Sequence, residues 1–397
     1  MALDVPSLQR ALRELGLDAW LLYDFHGQNP TAVGALDLGG LLLTRRWCYL
    51  VPAQGEPTAL VHAVERLSFP RAAAGRLVAY TSWSSFESAL REALASLPGR
   101  RVAMEYFPNG VIPTLSRVDA GTVELVRSMG VEVVSSAELV QRFLCRWSPR
   151  QLASHVRALR AIDAAKDGAF DQIGVALRRG VEVSEITIQK FLRDEIARAR
   201  LECDHPPIVA VNAHAGDPHY APSPERPTPI RKGDLVVLDL WARGRGATDV
   251  YADITWVGFC GDRPGARAEE IFRVAAGARD AGLEALRDAW RAGRTLQGWQ
   301  VDRVVRDHVA ARGYGDRFVH RTGHSLGVRV HGDGANLDDL ETHDTRELVE
   351  GLAFTIEPGI YLPEEGLGVR TEIDVALTAE GPQVFSRTQQ EIVRIPC

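Results

Sequence analysis

Lysine is almost missing from this chain. Of its 46 basic residues, 43 are arginine, a bias that reads as genomic base composition before it reads as structure. Cysteine is also sparse: Cys48, Cys145, Cys203, Cys260 and Cys397 are odd in number and scattered, with no C-x-x-C pair. This excludes a disulfide framework and a cysteine-bound structural zinc, and it makes a reduced cytoplasm the expected compartment. No apolar run approaches the roughly 18 residues that span a bilayer. The first ten residues, Met1 to Arg10, carry an acid early and no apolar core segment, so no signal peptide and no membrane partner are expected. The net charge of −6 and the absence of any basic block argue against nucleic acid as a partner.

What remains is ordinary globular composition, 45% hydrophobic and 25% charged, over 397 residues, long enough for two domains. Residues 1–147 alternate helical and extended patterns. Leu8 to Leu15 and Glu87 to Leu97 read as helices; Ala19 to Tyr23, Trp47 to Val51, Thr58 to Val64 and Val102 to Tyr106 read as strands. That is an α/β domain with mixed pairing. Ser148-Pro149 looks like an N-cap with proline at the first helical position, so a boundary is placed there. In residues 148–397, long helices are expected to about Arg179, from near Ser184, from about Arg267 to Arg291 and from Thr295 to Arg312. Strands occupy the rest, an α+β arrangement.

The second half holds charged residues in places that disfavour charge. Asp239 sits in Leu235-Val-Val-Leu-Asp239-Leu-Trp241, Asp253 in Tyr251-Ala-Asp253-Ile-Thr-Trp256, Glu357 in Leu352-Ala-Phe-Thr-Ile-Glu357, and Glu372 in Val369-Arg-Thr-Glu372-Ile-Asp-Val. Unpaired ionised carboxylates are prohibitive in such surroundings, and several together repel or take up protons. Two divalent ions would neutralise four such charges, with His324 as a neutral fifth ligand. In two-metal sites the ions lie roughly 3.5–4 Å apart. An oxygen-rich set favours Mn2+, with Co2+ or Zn2+ as alternatives. A turn through Arg243-Gly-Arg-Gly246 would pair the two aspartate strands antiparallel. Asp249, inside that loop, is a rival ligand.

His320, His324 and His331 fall within twelve residues, and Gly323, Gly327 and Gly332 are expected to permit unusual backbone angles there. Glu357-Pro358-Gly359 ends a strand at a turn.

Five ordered segments carry a resemblance: Val237-Leu-Asp239, Asp253-Ile-Thr255, Thr322-Gly-His324-Ser-Leu-Gly327, Thr355-Ile-Glu357-Pro-Gly-Ile-Tyr361 and Val369-Arg-Thr-Glu372. Together the chain resembles the pita-bread metallopeptidases, the family of methionine aminopeptidase, aminopeptidase P and prolidase. The resemblance implies a creatinase/prolidase-like N-terminal domain (1–147) and a pita-bread catalytic domain (148–397). It implies Asp239 on one metal, His324 and Glu357 on the other, and Asp253 and Glu372 bridging both, with a bridging hydroxide as nucleophile. It further implies His219 and His331 beside the substrate, His320 near proton transfer, Glu357 as proton shuttle and Arg370 beside the bridging glutamate. Two departures stand out: the spacing from Asp239 to Asp253 is a few residues long for the family, and Trp256 replaces its usual arginine. Thr371 also stands where the family commonly has an aliphatic residue.

The N-terminal domain favours the proline-directed members. Prolidase, an Xaa-Pro dipeptidase, is the expected activity, with aminopeptidase P as the alternative. A metal-free creatinase-like hydrolase and a non-catalytic binding module are the readings from other classes. A dipeptidase needs a cation for the substrate's free carboxylate, and His343 and Arg346 are the expected candidates. The resemblance also implies a homodimer in which a loop of one subunit helps close the neighbour's site.

Overall fold

The computed structural model describes residues 3–69 and 75–397, in two compact units, Met1–Cys145 and Arg146–Cys397. The division falls two residues before the expected one. Arg146 Nε donates to Glu350 O at 2.6 Å and the Trp147 amide to Gly351 O at 2.7 Å, so both residues are tied into the second unit.

The first unit is built on a six-stranded mixed sheet in the order Arg76–Tyr80, Thr58–His62, Trp47–Pro52, Ala19–Asp24, Arg101–Met104, Glu132–Ser135. The central Trp47–Pro52 and Ala19–Asp24 strands are buried along their whole length and pair antiparallel, whereas the last two strands pair parallel. Such continuous apolar runs are the sequence signature of strands covered on both faces. Helix Val5–Glu14 matches its amphipathic pattern. Helix Trp83–Ala95 starts four residues earlier than the pattern suggests, because Ser82 and Ser85 form a capping box ahead of the apolar stripe.

In the second unit Ser148 caps the 30-residue helix Pro149–Arg178, with Gln151 closing the capping box. Ser184 caps Glu185–Arg198. Helix Ala266–Arg291 follows the expected range, while the next helix begins only at Gly298. Gln300 accepts the Gln297 amide at 2.8 Å and so fixes that start.

The strand Leu235–Gly244 shows how the unit is organised. Alternate side chains of a strand point to opposite faces. Val236, Leu238, Leu240 and Ala242 join a core with the Pro149–Arg178 and Glu185–Arg198 helices. Leu235 and Val237 face the other way, into a core with helix Ala266–Arg291. Asp239 and Trp241 continue that second face beyond the core, where a cavity opens. The antiparallel partner Ala252–Cys260 sets Thr255 opposite Asp239 and Asp253 opposite Trp241. All four therefore share one face, and the two aspartates are diagonal neighbours.

Strands Ala353–Ile356 and Ile373–Thr378 form one ladder, and Gly359–Leu362 with Leu367–Arg370 form another. The chain passes from the first ladder to the second at residues 357–358 and returns at 371–372. Glu357 and Glu372 occupy these two crossings. No helix among the described residues is long and apolar enough to cross a membrane.

Candidate functional site

Asp239, Asp253, His324, Glu357 and Glu372 line one cavity of about 560 Å3, together with His219, His320, His331 and Arg370. The ligand-type atoms of Asp253, His324 and Glu372 lie within 4.8 Å of one another. His324 Nε2 is 3.5 Å from Glu357 Oε1 and 3.6 Å from Asp253 Oδ2. Thr255, fully buried, donates its hydroxyl to Glu372 Oε2 at 2.7 Å and lies 3.3 Å from Asp239 Oδ1. One hydroxyl thus ties the aspartate hairpin to the glutamate crossing.

His324 stands on irregular chain, not on a strand, laid beside Ala353–Ile356. The Thr355 amide donates to His324 O at 2.9 Å, and the His324 amide donates to Thr355 Oγ1 at 3.0 Å. A Cβ on Gly323 would come within 1.9 Å of Thr355 O. The glycine therefore serves close approach. None of Gly323, Gly327 and Gly332 has a positive φ, which corrects the expectation of unusual backbone angles.

Arg370 gathers the other charged groups. Its guanidinium pairs with Asp239 Oδ2, donates to Thr255 Oγ1 at 3.1 Å and to Tyr361 Oη at 3.0 Å, and lies 3.8 Å from Glu357 Oε2. Tyr361 Oη also meets His320 Nε2 at 2.8 Å, and His320 Nδ1 meets Arg321 O at 2.8 Å. Because a carbonyl only accepts, the proton sits on Nδ1, and Nε2 accepts from the tyrosine hydroxyl. His331 stands edge-on to His324, ring centroids 4.3 Å apart. His219 is on the loop Asp217-Pro-His-Tyr220. That loop is fixed by the fully buried Glu185, which accepts from Tyr220 Oη at 2.6 Å and pairs with His214 Nδ1 at 2.9 Å.

The electrostatics are those of charge held out of water. Burial, then the charge of Glu372, pushes the Asp253 carboxyl well above its usual range; burial, then Glu357, does the same for Glu372. Glu357 is raised to about 7, chiefly by burial, with Arg370 opposing and Asp239 adding. Burial pushes His324 well down, and His320 to about 3. Burial also works against the Arg370 charge, yet Tyr361, Asp239 and Glu357 outweigh it and hold the guanidinium ionised.

Two buried oxygens, Asp253 Oδ1 and Glu372 Oε1, have no hydrogen-bond partner among the described residues. Native structures seldom leave such atoms unmatched. Together with the oxygen-rich donor set and the neutral imidazole, they fit divalent cations.

Three expected residues lie elsewhere. Asp249 accepts the Gly246 amide at 3.1 Å within its own turn and does not line the cavity. His343 is half exposed and pairs with Asp339 at 2.7 Å. Arg346 is buried, bonded to Asp344 through Nε at 2.9 Å and Nη2 at 2.6 Å and to Asp333 O through Nη1 at 2.7 Å. The fork is fully used in holding its own loop, so neither residue reaches the cavity. Sequence reasoning also gave no role to Tyr361, Thr255, Asp374 or Arg321. Asp374 was detectable as a second carboxyl in the apolar run after Glu372. Arg321 was detectable only as the neighbour of His320.

A cage of carboxyl groups and one imidazole, at the floor of an open cavity where two strand ladders exchange, defines a metal-dependent hydrolase. The chain belongs to metallopeptidase family M24, whose model matches residues 157–379. It is 32% identical over 277 residues to the uncharacterized peptidase YqhT of Bacillus subtilis, covering 66% of this chain and 69% of that one. It is 31% identical over 245 residues to the Xaa-Pro dipeptidase of Lactobacillus delbrueckii subsp. lactis, 61% of each chain. In fold it is similar to the dipeptidase PepE from Mycobacterium ulcerans, with a TM-score of 0.74 at 22% identity over 99% of this chain and 97% of that one.

Proposed function

We propose that this protein hydrolyses the Xaa-Pro bond of dipeptides, using two divalent ions, Mn2+ foremost, held by Asp239, Asp253, His324, Glu357 and Glu372. The observation that carries the reading is the convergence of four carboxyl groups and one histidine on a single cavity, two of their oxygens lacking any protein partner. The likeness to a named Xaa-Pro dipeptidase supports the substrate class.

Divalent ions bound there supply Lewis acidity toward a carbonyl oxygen and make water nucleophilic near neutral pH. The chain's own groups do the rest. Glu357 carries a proton toward the leaving proline nitrogen. His219 and His331 are placed to donate to oxygens of the substrate and its tetrahedral form. His320 Nε2 and Tyr361 Oη form a relay whose proton position Arg370 biases.

A homodimer in a reducing cytoplasm belongs to the proposal. The five free cysteines suit that compartment, and the exposed Leu41, Leu42 and Leu67 of the N-terminal unit offer apolar surface for a second copy. Sedimentation would measure the oligomer.

The deciding experiment strips the protein with chelator, restores Mn2+ and compares Ala-Pro with Ala-Pro-Ala. Metal-restored cleavage of the dipeptide alone supports a prolidase. Cleavage of the tripeptide moves the assignment to aminopeptidase P, and silence on both with metal bound removes the peptidase reading.

A further inference from the structure

The free C-terminal carboxylate of a dipeptide needs a cationic partner inside the cavity, and with Arg346 committed elsewhere the partner has to come from the lining itself. Among the described lining residues, two side chains carry a permanent positive charge, Arg321 and Arg370. Arg370 is 8% exposed and already engaged by Asp239, Thr255 and Tyr361.

Arg321 is differently placed. Its guanidinium makes one ion pair, Nη1 to Glu341 Oε2 at 3.4 Å, with side chains 21% and 45% exposed. That separation exceeds the roughly 2.7–2.9 Å of a strong charge-assisted bond. A long, partly solvated ion pair of this kind contributes little, so exchange for a better acceptor costs little. The backbone around the pair is rigid by contrast. The Arg321 amide donates to Glu341 Oε1 at 2.9 Å. Glu341 is held in turn by the fully buried Asp338, whose carboxylate accepts the amides of Leu340 and Glu341 at 2.9 Å each and of Thr342 at 3.0 Å. Arg321 adjoins His320 and lies three residues before His324, and its charge is felt at Glu357, His324 and His331.

We infer that Arg321 is the specificity-determining residue that takes the substrate's free carboxylate, exchanging Glu341 for it on binding. Glu341 holds the guanidinium at the cavity wall between turnovers. A dipeptide offers a carboxylate able to accept both arms of the fork. A longer peptide offers a neutral amide at the same point and leaves the Arg321–Glu341 pair in place. The selection for chain length therefore lies in one ion exchange. The inference rests on the dipeptidase reading above.

The test compares wild type, Arg321→Gln and Glu341→Gln on Ala-Pro and on its amide, Ala-Pro-NH2, with metal content measured alongside. Arg321→Gln is expected to raise KM for Ala-Pro by roughly 10- to 100-fold, the loss expected of a hydrogen-bonded charge, with KM for the amide and the metal content unchanged. Glu341→Gln is expected to lower KM for Ala-Pro. Calorimetry with proline and prolinamide adds a readout without turnover: wild type should bind proline more tightly, and Arg321→Gln should bind the two alike. Equal effects of Arg321→Gln on both substrates, or no effect on Ala-Pro, would overturn the inference. So would a raised KM for Ala-Pro in Glu341→Gln, or equal proline binding by wild type and Arg321→Gln. Failure of metal-loaded wild type to cleave Ala-Pro would instead sink the parent reading.

Discussion

Asp374 Oδ2 accepts the backbone amide of Asp253 at 2.9 Å, so one buried carboxyl group holds another by its main chain. The same oxygen faces His155 Nε2 at 3.6 Å, and His155 Nδ1 donates to Tyr251 O at 2.8 Å. The strand edge carrying Asp253 is thus fastened at residues 251 and 253 by the same pair of side chains. Groups that orient metal ligands typically change affinity 10- to 100-fold when removed.

Asp374→Ala should therefore weaken divalent metal binding by about 10- to 100-fold. It should also lower stability by about 1–3 kcal/mol, because the Asp253 amide is left buried without an acceptor. Metal titration by calorimetry and thermal melts of the chelated protein measure the two effects separately; unchanged metal affinity would refute the fastening role.

The metal-free protein should lose stability as pH rises above 6.5. Histidines pushed down in the fold, His155 to about 4 and His320 to about 3, add stability as pH climbs toward their unfolded value of 6.5 and contribute nothing further above it. Carboxyl groups pushed up act in the opposite sense. Above their unfolded range the folded state holds more protons than the unfolded one, so stability falls with rising pH. Glu357 and Glu105 lose theirs through about 7, and Asp253, Glu372 and Asp374 are raised as well. From 6.5 upward only the falling contribution of these two sets remains. Bound divalent ions should remove the part due to the site carboxyls, so melts with chelator should drop across this window more steeply than melts with Mn2+.

His320→Gln should lower kcat by about 100- to 10,000-fold, the range for a positioned proton-transfer group, with little change in KM. With its pKa near 3, His320 is neutral across the working range, so the acidic limb of the kcat profile should keep its midpoint in the variant. A shifted limb would assign that titration to His320.

Gly323→Ala should destabilise the protein by about 3 kcal/mol, the upper part of the range for an inserted group with no room. The added Cβ would meet Thr355 O at 1.9 Å and force His324 away from strand Ala353–Ile356. Melting temperature and metal stoichiometry should fall together.

The parts of the site legible in the sequence were those where local pattern and chemistry conflict. Asp239 and Asp253 interrupt apolar strands, and strand period alone puts their carboxyls on one face once the hairpin is assumed. Glu357 was legible as the end of a strand at a turn, and strand Ala353–Ile356 does end just before it; that Glu357 and Glu372 both sit where the chain changes ladder is a long-range event that no local period records. Arg346 shows the limit from the other side. Its three bonds to Asp344 and Asp333 are formed within its own loop, and an arginine near a ligand in sequence carries no mark of whether its fork is already used. Arg321 escaped notice because its placement depends on Glu341, twenty residues away, and on the winding of that loop about Asp338. Helix starts were legible where a serine cap preceded them, at Ser148 and Ser184, and misplaced at Ser82, where the caps lie ahead of the apolar stripe.

The five candidate ligands are spread from residue 239 to residue 372, on a hairpin, an irregular segment and two ladder crossings. No shorter stretch of the chain contains even a partial cage with both aspartates and both glutamates. During synthesis the growing polypeptide therefore has no complete site to offer an ion until Glu372 has emerged and the crossings have formed. The complete ligand set thus depends on tertiary structure spanning 134 residues, so a fully loaded site reports that the hairpin and both crossings are in place.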